Sequence, residues 1–329
     1  MLLECCGVLF LVSVLTYAIP HLLTFLGREQ DLYKKYAAGC TDRPWAVVTG
    51  ASSGIGLEFA TKAASQGFNI CAIAYPDAHM ETVKSMATTK KVHFRCLPID
   101  LAGVPQAELE DKVKKMTEDI DVALLFMCAG ITLFQDCAVG AENSLRLLYT
   151  NVLANMHIFF VLYPRIVSRP LLGGRSRRGG VVMIGSMSSF FPVPFTTMYG
   201  ASKAFLTSFG SALGPEAALS GVDVMVINPG PVKTRLFSNT YPLSSLRLSG
   251  HMAQTTVQIT RLVWKTLGRA CMYSRDAGMC SWGLRLLIKC VDPYALGLLW
   301  AYTTRFLGDY KNFILGKKPF VLRHCAPGA

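Results

Sequence analysis

Tyr199 and Lys203, four residues apart in Met198-Tyr199-Gly200-Ala201-Ser202-Lys203, are the side chains of this chain best placed to do chemistry together. On a helix such a pair shares one face, so the ammonium would sit beside the phenol and pull its pKa below the ordinary value of about 10. A phenol tuned in this way gives up a proton near neutral pH. Ser186, thirteen residues before Tyr199, offers a hydroxyl to the same place. Upstream, Thr49-Gly50-Ala51-Ser52-Ser53-Gly54-Ile55-Gly56 follows the apolar Val47-Val48. A glycine turn between a strand and a helix lets backbone N–H groups and the helix N-terminus approach a pyrophosphate without obstruction. Its spacing is G-x-x-x-G-x-G, distinct from the wider G-x-G-x-x-G dinucleotide fingerprint. Hydride from a reduced nicotinamide leaves a carbonyl substrate as an alkoxide, and a phenol whose anion is stabilised by Lys203 supplies the missing proton.

These residues need a scaffold, and from Trp45 onward short apolar runs alternate with longer amphipathic ones, the pattern of βαβ units on a parallel sheet. Strands are expected at Ala46–Thr49, Asn69–Ala74, His93–Pro98, Val122–Met127, Gly180–Ser186 and Asp223–Asn228. Their continuous Val/Ile/Leu character suits strands covered on both faces. Helices are expected near Ile55–Gln66, Gln106–Glu118, Glu142–Ser168, Thr197–Leu219 and Thr255–Leu267. The fold class is therefore α/β, a Rossmann-type doubly wound parallel sheet. Pro229 to Gly250, rich in Pro, Ser and Asn, reads as a loop placed to cover a substrate.

In that order of motifs the chain resembles the short-chain dehydrogenase/reductase family, in which TGxxxGIG, an asparagine, a serine and YxxxK follow one another; the resemblance covers about Trp45 to Thr234. It implies Tyr199 as proton donor, Lys203 as ligand of the nicotinamide ribose, Ser186 as partner of the substrate carbonyl and Asn151 as holder of a proton-relay water. For the cofactor it implies Gly50, Ser52, Ser53, Gly54, Ile55 and Gly56 at the pyrophosphate, Asp100 at the adenine, and Gly130, Pro229, Gly230 and Thr234 near the nicotinamide. Asn151 has a purely local alternative, and Asp100 an ordinary turn role.

Three departures from the family pattern stand out. Met127-Cys128-Ala129-Gly130 replaces Asn-Asn-Ala-Gly, which removes polar support near the cofactor. The second strand ends in Ala74-Tyr75-Pro76-Asp77, with neither an arginine for a 2′-phosphate nor an acid directly at the ribose position. Asp77 either turns back to the ribose or caps the next helix, so NADPH, with NADH not excluded, comes from the resemblance alone. The stretch between Asn151 and Ser186 is long and carries Arg165, Arg169, Arg175, Arg177 and Arg178, read as a solvated loop in preference to a phosphate grip.

The ends of the chain and its composition point to a membrane. Mean hydropathy is +0.36, and Gly7 to Leu26 holds no charged residue over about the length that spans a bilayer. Only Glu4 is charged before it, so the basic start of a cleavable signal is missing. Arg28, Lys34, Lys35 and Arg43 follow, which favours a cytosolic domain. Pro20 and His21 keep open a helix packed on the domain's own surface. Met279 to Leu315 is apolar but broken by charges, and its uncharged run Pro293–Thr304 is too short to cross, which fits an interfacial segment.

The expected division is a transmembrane anchor at 1–27, a linker at 28–44, the catalytic domain at 45–270 and a membrane-associated extension at 271–329. Eleven cysteines, odd in number and irregular in spacing, read as free thiols; Cys5-Cys6 is either a palmitoylation site or apolar filler. The six histidines form no ligand-spaced pair, so no metal is expected. The net charge of +12 is dispersed and without a nucleic-acid motif, which fits an anionic membrane or substrate better than nucleic acid.

Phe191-Pro192-Val193-Pro194-Phe195-Thr196-Thr197, with the apolar termini, resembles the membrane-bound branch of very-long-chain 3-oxoacyl-CoA reductases and 17β-hydroxysteroid dehydrogenases. That implies a hydrophobic carbonyl substrate, an acyl-CoA of fatty-acid elongation or else a steroid or sphingoid ketone. It also implies the endoplasmic reticulum membrane, crossed once, although the dilysine signal of that branch is missing from His324-Cys325-Ala326-Pro327-Gly328-Ala329. A homodimer through the helices after Asn151 and around Tyr199 is implied by the same resemblance. A nucleotide-binding scaffold with little turnover is the alternative of another class.

Overall fold

The computed structural model describes residues 2–134, 137, 141–171, 173–174, 177–237, 252–269, 273–304 and 306. Most of Pro229 to Gly250, together with Arg175 and the last residues of the chain, lies outside them. Seven parallel strands make one sheet in the order β3-β2-β1-β4-β5-β6-β7. They are β1 (Trp45–Thr49), β2 (Asn69–Ala74), β3 (Phe94–Pro98), β4 (Val122–Met127), β5 (Gly179–Ile184), β6 (Val222–Pro229) and β7 (Ser274–Ala277). The reversal of order between β1 and β4 opens the crevice in which doubly wound folds bind ligands.

Alternation along the strands builds two cores. Val47, Leu125, Val181 and Val224 face α5 (Gln106–Thr117), α7 (Ala154–Val167) and α8 (Thr197–Leu219). Val48, Phe126, Val182 and Met225 face α3 (Gly54–Gln66) and α9 (Thr256–Thr266), where Trp264 stacks on Phe126 at 5.7 Å between centroids. Because both faces are covered, the inner strands are buried along their whole length.

Several expectations need correction. The segment 28–44 is not a plain linker: α2 (Leu32–Ala37) buries Leu32 and Tyr36 completely, and Asp223 accepts a hydrogen bond from the Tyr36 hydroxyl at 2.7 Å and pairs with Lys35 at 2.8 Å. A short helix, α4 (Met80–Thr89), joins β2 to β3, and β7 carries the sheet to Ala277, past the boundary expected at 270. The single helix expected over 142–168 is α6 (Ala141–Leu148), a π turn at Tyr149–Leu153, and α7.

The arginine stretch is structural. Buried Arg169 pairs with Asp121 at 2.6 Å and donates to the carbonyl of Arg178, and Arg178 donates to the carbonyls of Arg169 and Ser220. Arg165 bonds Thr117 and the Ile120 carbonyl, and Arg177 pairs with Asp223 at 3.2 Å. These guanidiniums pin the loop before β5 to the sheet's amino-terminal edge, so neither a solvated loop nor a phosphate grip describes them.

The apolar N-terminus is α1 (Leu2–Leu26), whose Gly7–Thr24 window is long and apolar enough to cross a membrane and only 6% buried. It touches the domain through polar side chains: the Tyr17 hydroxyl donates to Asp276 at 2.8 Å, and Lys289 donates to Ser13 at 2.9 Å. After β7 come α10 (Met279–Cys290) and α11 (Pro293–Thr304), the latter exposing Tyr294, Leu298, Leu299 and Tyr302.

Candidate active site

The first turn of α3 is built for an anion. Gly50 (φ +67°) and Gly54 (φ +57°) take left-handed conformations that disfavour any side chain. A Cβ on Gly50 would come within 2.9 Å of the Ala129 backbone, and one on Gly56 would run into the Gly50 carbonyl. Ser53, the N-cap of α3, makes no side-chain cap, so the helix opens toward the crevice without a side chain claiming its leading N–H groups. Thr234, from the segment after β6, closes over the same turn: a Cβ on Gly54 would stand 3.2 Å from its methyl. The residues present therefore fit a dinucleotide pyrophosphate. A cleft of about 440 Å³ between Gly54, Glu58, Thr234 and Arg235 marks this place. A second cavity, near Trp45 and Asp121, lies at the opposite end of the strands.

Ser186, Tyr199 and Lys203 meet at the carboxyl end of β5. The chain leaves β5 at Ile184 and forms a 3₁₀ turn, Met187–Ser189, capped by Ser186, whose Oγ accepts from the Ser188 N–H at 3.1 Å. It then enters α8, which presents Tyr199 in its first turn and Lys203 one turn on. All three side chains are less than 10% exposed. Lys203 Nζ donates to the Ile184 carbonyl at 2.8 Å and stands 5.9 Å from the Tyr199 ring centroid.

The electrostatics correct one expectation. Burial raises the Tyr199 phenol above its usual value, and a hydrogen bond with Ser186 opposes that rise. The reason is the dry environment: the same burial pushes the Lys203 ammonium down to about 8.

Asn151 is fully buried in the π turn, where Oδ1 accepts from the Ile131 N–H at 2.7 Å and Nδ2 donates to the Ile131 carbonyl and to Ser202. Ser202 in turn donates to the Tyr199 carbonyl at 2.7 Å. Asn151 thus braces the helix that carries the phenol. Gly130 lies beside both groups, since a Cβ there would stand 3.2 Å from Asn151 Oδ1 and 3.4 Å from Lys203 Nζ. Asp100 sits past β3 with its carboxylate engaged by the Ala102 N–H and by Arg146, each on its own oxygen. Ser52 is buried within the glycine turn. Pro229 ends β6, and the Gly230 N–H bonds the Ala277 carbonyl.

Two residues missed in the sequence hold this site together. Thr49 Oγ1 accepts from both the Cys128 and Ala129 N–H groups at 3.0 Å and donates to Asn155 Oδ1 at 2.9 Å. Asn155 Nδ2 reaches the carbonyls of Ala129, Thr150 and Asn151. The polar support expected to be lost at Met127-Cys128 is therefore supplied from β1 and α7. The signal was present: Thr49 opens the glycine motif, and Asn155 follows Asn151 by one helical turn. Burial keeps the Cys128 thiol protonated by raising its pKa far above the usual range. Among the described residues no cluster of His, Cys, Asp or Glu could hold a metal.

Comparison with known proteins agrees with this geometry. A family model described as short chain dehydrogenase matches residues 44–242. The chain is similar to a very-long-chain 3-oxoacyl-CoA reductase of Mycosarcoma maydis, 30% identical over 78% of this chain and 73% of that protein. It is also similar to one of Phaeosphaeria nodorum, 25% identical over 82% and 74%. A solved 7β-hydroxysteroid dehydrogenase shares the fold, with a TM-score of 0.65 at 22% identity over 80% of this chain and 95% of that one.

Proposed function

The chain belongs to the short chain dehydrogenase family and is an NAD(P)(H)-linked oxidoreductase acting on alcohol and ketone groups, and from that premise we propose that it is a membrane-anchored, NADPH-dependent reductase of 3-oxoacyl-CoA in fatty-acid elongation. The observation that carries this reading is the meeting of buried Ser186, Tyr199 and Lys203 at the carboxyl end of β5, beside a glycine turn that fits a pyrophosphate, in a chain similar to very-long-chain 3-oxoacyl-CoA reductases.

The nicotinamide, when bound, supplies the hydride. Ser186 and Tyr199 hold the substrate oxygen, and Tyr199 gives its proton to the alkoxide as it forms. Lys203 is fixed by the Ile184 carbonyl and keeps two N–H bonds for the ribose and the phenolate side. With a pKa of about 8 it exchanges protons close to neutral pH, which returns the phenolate to the phenol. Burial excludes water and strengthens each of these interactions. Asn151 acts by positioning. Gly50, Ser52, Ser53, Gly54, Ile55 and Gly56 hold the pyrophosphate, Asp100 borders the adenine, and Gly130, Pro229, Gly230 and Thr234 border the nicotinamide.

An apolar substrate is supported by α11, which meets the segment between Ser186 and Tyr199: Trp300 contacts the Phe191 ring, with centroids 5.9 Å apart, and Gly297 packs on Pro192. We place α1 in the endoplasmic reticulum membrane as a single pass with the domain in the cytosol, on the strength of its uncharged run and the basic residues that follow; on crossing the membrane, α1 gives up the bonds that Ser13 and Tyr17 make here with Lys289 and Asp276. A homodimer through α7 and α8 is supported by exposed Leu153, Phe160 and Phe205.

The test is nucleotide oxidation by detergent-solubilised protein offered a long-chain 3-oxoacyl-CoA, a 17-ketosteroid or 3-ketosphinganine, with NADPH and with NADH. Fastest turnover is expected with the acyl-CoA and NADPH. Turnover confined to another ketone would reassign the substrate, and nucleotide binding with no turnover would leave a scaffold.

A further inference from the structure

Asn228, next to last in β6, is fully buried and bonds both to the strand and helix beyond it and to the helix that carries the phenol. Its Nδ2 donates to Ser274 Oγ in β7 at 2.9 Å, and its carbonyl accepts from the Ser281 hydroxyl of α10 at 2.8 Å. Its Oδ1 accepts from the Thr207 hydroxyl of α8 at 2.8 Å. That oxygen lies against the residue just before the catalytic serine: a Cβ on Gly185 would run into it and would stand 2.7 Å from Thr207 Oγ1. Thr207, one turn past Lys203, also lies 2.9 Å from the Lys203 carbonyl and is hydrogen-bonded to Ser189 Oγ at 3.0 Å. Ser189 Oγ in turn accepts from the Ser186 N–H at 3.2 Å. A continuous chain of bonds therefore runs from β7 through Asn228, Thr207 and Ser189 to the backbone of Ser186.

From this geometry we infer that Thr207 and Asn228 are positioning residues for the catalytic serine, acting on Ser186 through Ser189. The inference rests on the reading above of Ser186 as a partner of the substrate carbonyl. Ser186 stands between β5 and the three-residue turn Met187–Ser189, where neither a strand ladder nor a long helix sets its rotation. The Ser189 side chain that holds its N–H has a torsion of its own, and the bond to Thr207 restricts it. Thr207 is held in turn by the Asn228 amide, which is bonded at both its oxygen and its nitrogen. A reacting group displaced by about 1 Å loses on the order of a hundredfold in rate, so the bonds behind Ser186 bear on the chemistry as well as on stability.

A double-mutant cycle separates positioning from mere stability. Single-turnover nucleotide oxidation is measured on the solubilised full chain, with the ketone that wild type reduces fastest, for wild type, Thr207→Val, Ser186→Ala and the double variant. Thr207→Val, which keeps the shape and removes the hydroxyl, is expected to slow reduction about tenfold and to leave nucleotide affinity within about twofold. Thr207→Ser, which keeps the hydroxyl, should recover the wild-type rate within about twofold. In the Ser186→Ala background the same Thr207→Val change should cost less than about twofold, because the group it positions is already gone. An equal tenfold loss in both backgrounds, no loss in either, or no recovery with Thr207→Ser would overturn the inference. A Ser186→Ala variant as fast as wild type would instead refute the reading of Ser186 on which the inference rests.

Discussion

The catalytic edge of the sheet and the shell made by α1, β7, α10 and α11 treat their buried polar groups in opposite ways. Around the site, Thr49, Asn151, Asn155, Ser202 and Lys203 each bond a protein partner. Among the described residues, the buried side-chain nitrogens and oxygens without such a partner are in His21, Arg275, Trp282 and Trp300 of that shell, and in Gln254 just before α9 and Thr260 within it. The same shell turns Leu22, Leu23, Leu298 and Leu299 outward. A fold pairs its buried polar groups where rigidity is needed. The difference therefore separates a catalytic half whose buried polar groups are paired from a shell that leaves some of them unpaired and turns apolar side chains outward.

The largest effect should come from the first half. Tyr199→Phe removes the proton donor while leaving the ring, and ketone reduction should fall by about 10² to 10⁴, with nucleotide affinity within about twofold of wild type. Stopped-flow nucleotide oxidation checks this, and a loss below tenfold would remove Tyr199 from the chemistry. In the second half, the double change Leu298→Glu and Leu299→Glu sacrifices about 1.5–3 kcal/mol of lipid contact per residue. Vesicle binding should weaken at least tenfold at an unchanged melting temperature; a lower melting temperature instead would mean these leucines belong to the core.

Asn155→Ala takes the Nδ2 donor from the carbonyls of Ala129, Thr150 and Asn151 and leaves the Thr49 hydroxyl hydrogen without its acceptor, at about 1–3 kcal/mol for each unsatisfied group. Thermal denaturation should show a drop of several degrees, and no drop would mean that the catalytic half does not depend on its paired network. The smallest effect concerns pH. Because burial holds the Lys203 pKa at about 8, its ammonium is present below that value and lost above it. The reduction rate should therefore fall about tenfold per unit as pH rises past 8. A flat profile to pH 10 would mean that the bound nucleotide restores the ordinary lysine pKa.

Much of the catalytic half was legible in the sequence because its determinants are local. Strands buried on both faces read as unbroken apolar runs, and Ser186, Tyr199 and Lys203 fall within eighteen residues. What escaped depended on distant partners. β7 carries Arg275 and Asp276, so it looks polar and becomes a strand only by pairing with β6. The π turn at Tyr149–Leu153 holds Asn151, whose partners are Ile131 and Ser202. Thr49 and Asn155 meet across 106 residues. The depressed phenol pKa was a misreading of the same kind: helical spacing gives the Tyr199–Lys203 juxtaposition, but burial, a property of the whole fold, sets the direction of the shift.

The most direct test follows the hydride. Incubating the solubilised protein with a long-chain 3-oxoacyl-CoA and NADPH deuterated on C4 of the nicotinamide, then weighing the product, reports transfer at the carbonyl carbon. A 3-hydroxyacyl-CoA one mass unit heavier, formed by wild type and not by Tyr199→Phe, is the predicted result. Unlabelled product, or label transferred equally well by the variant, would contradict a site in which Tyr199 protonates what the nicotinamide reduces.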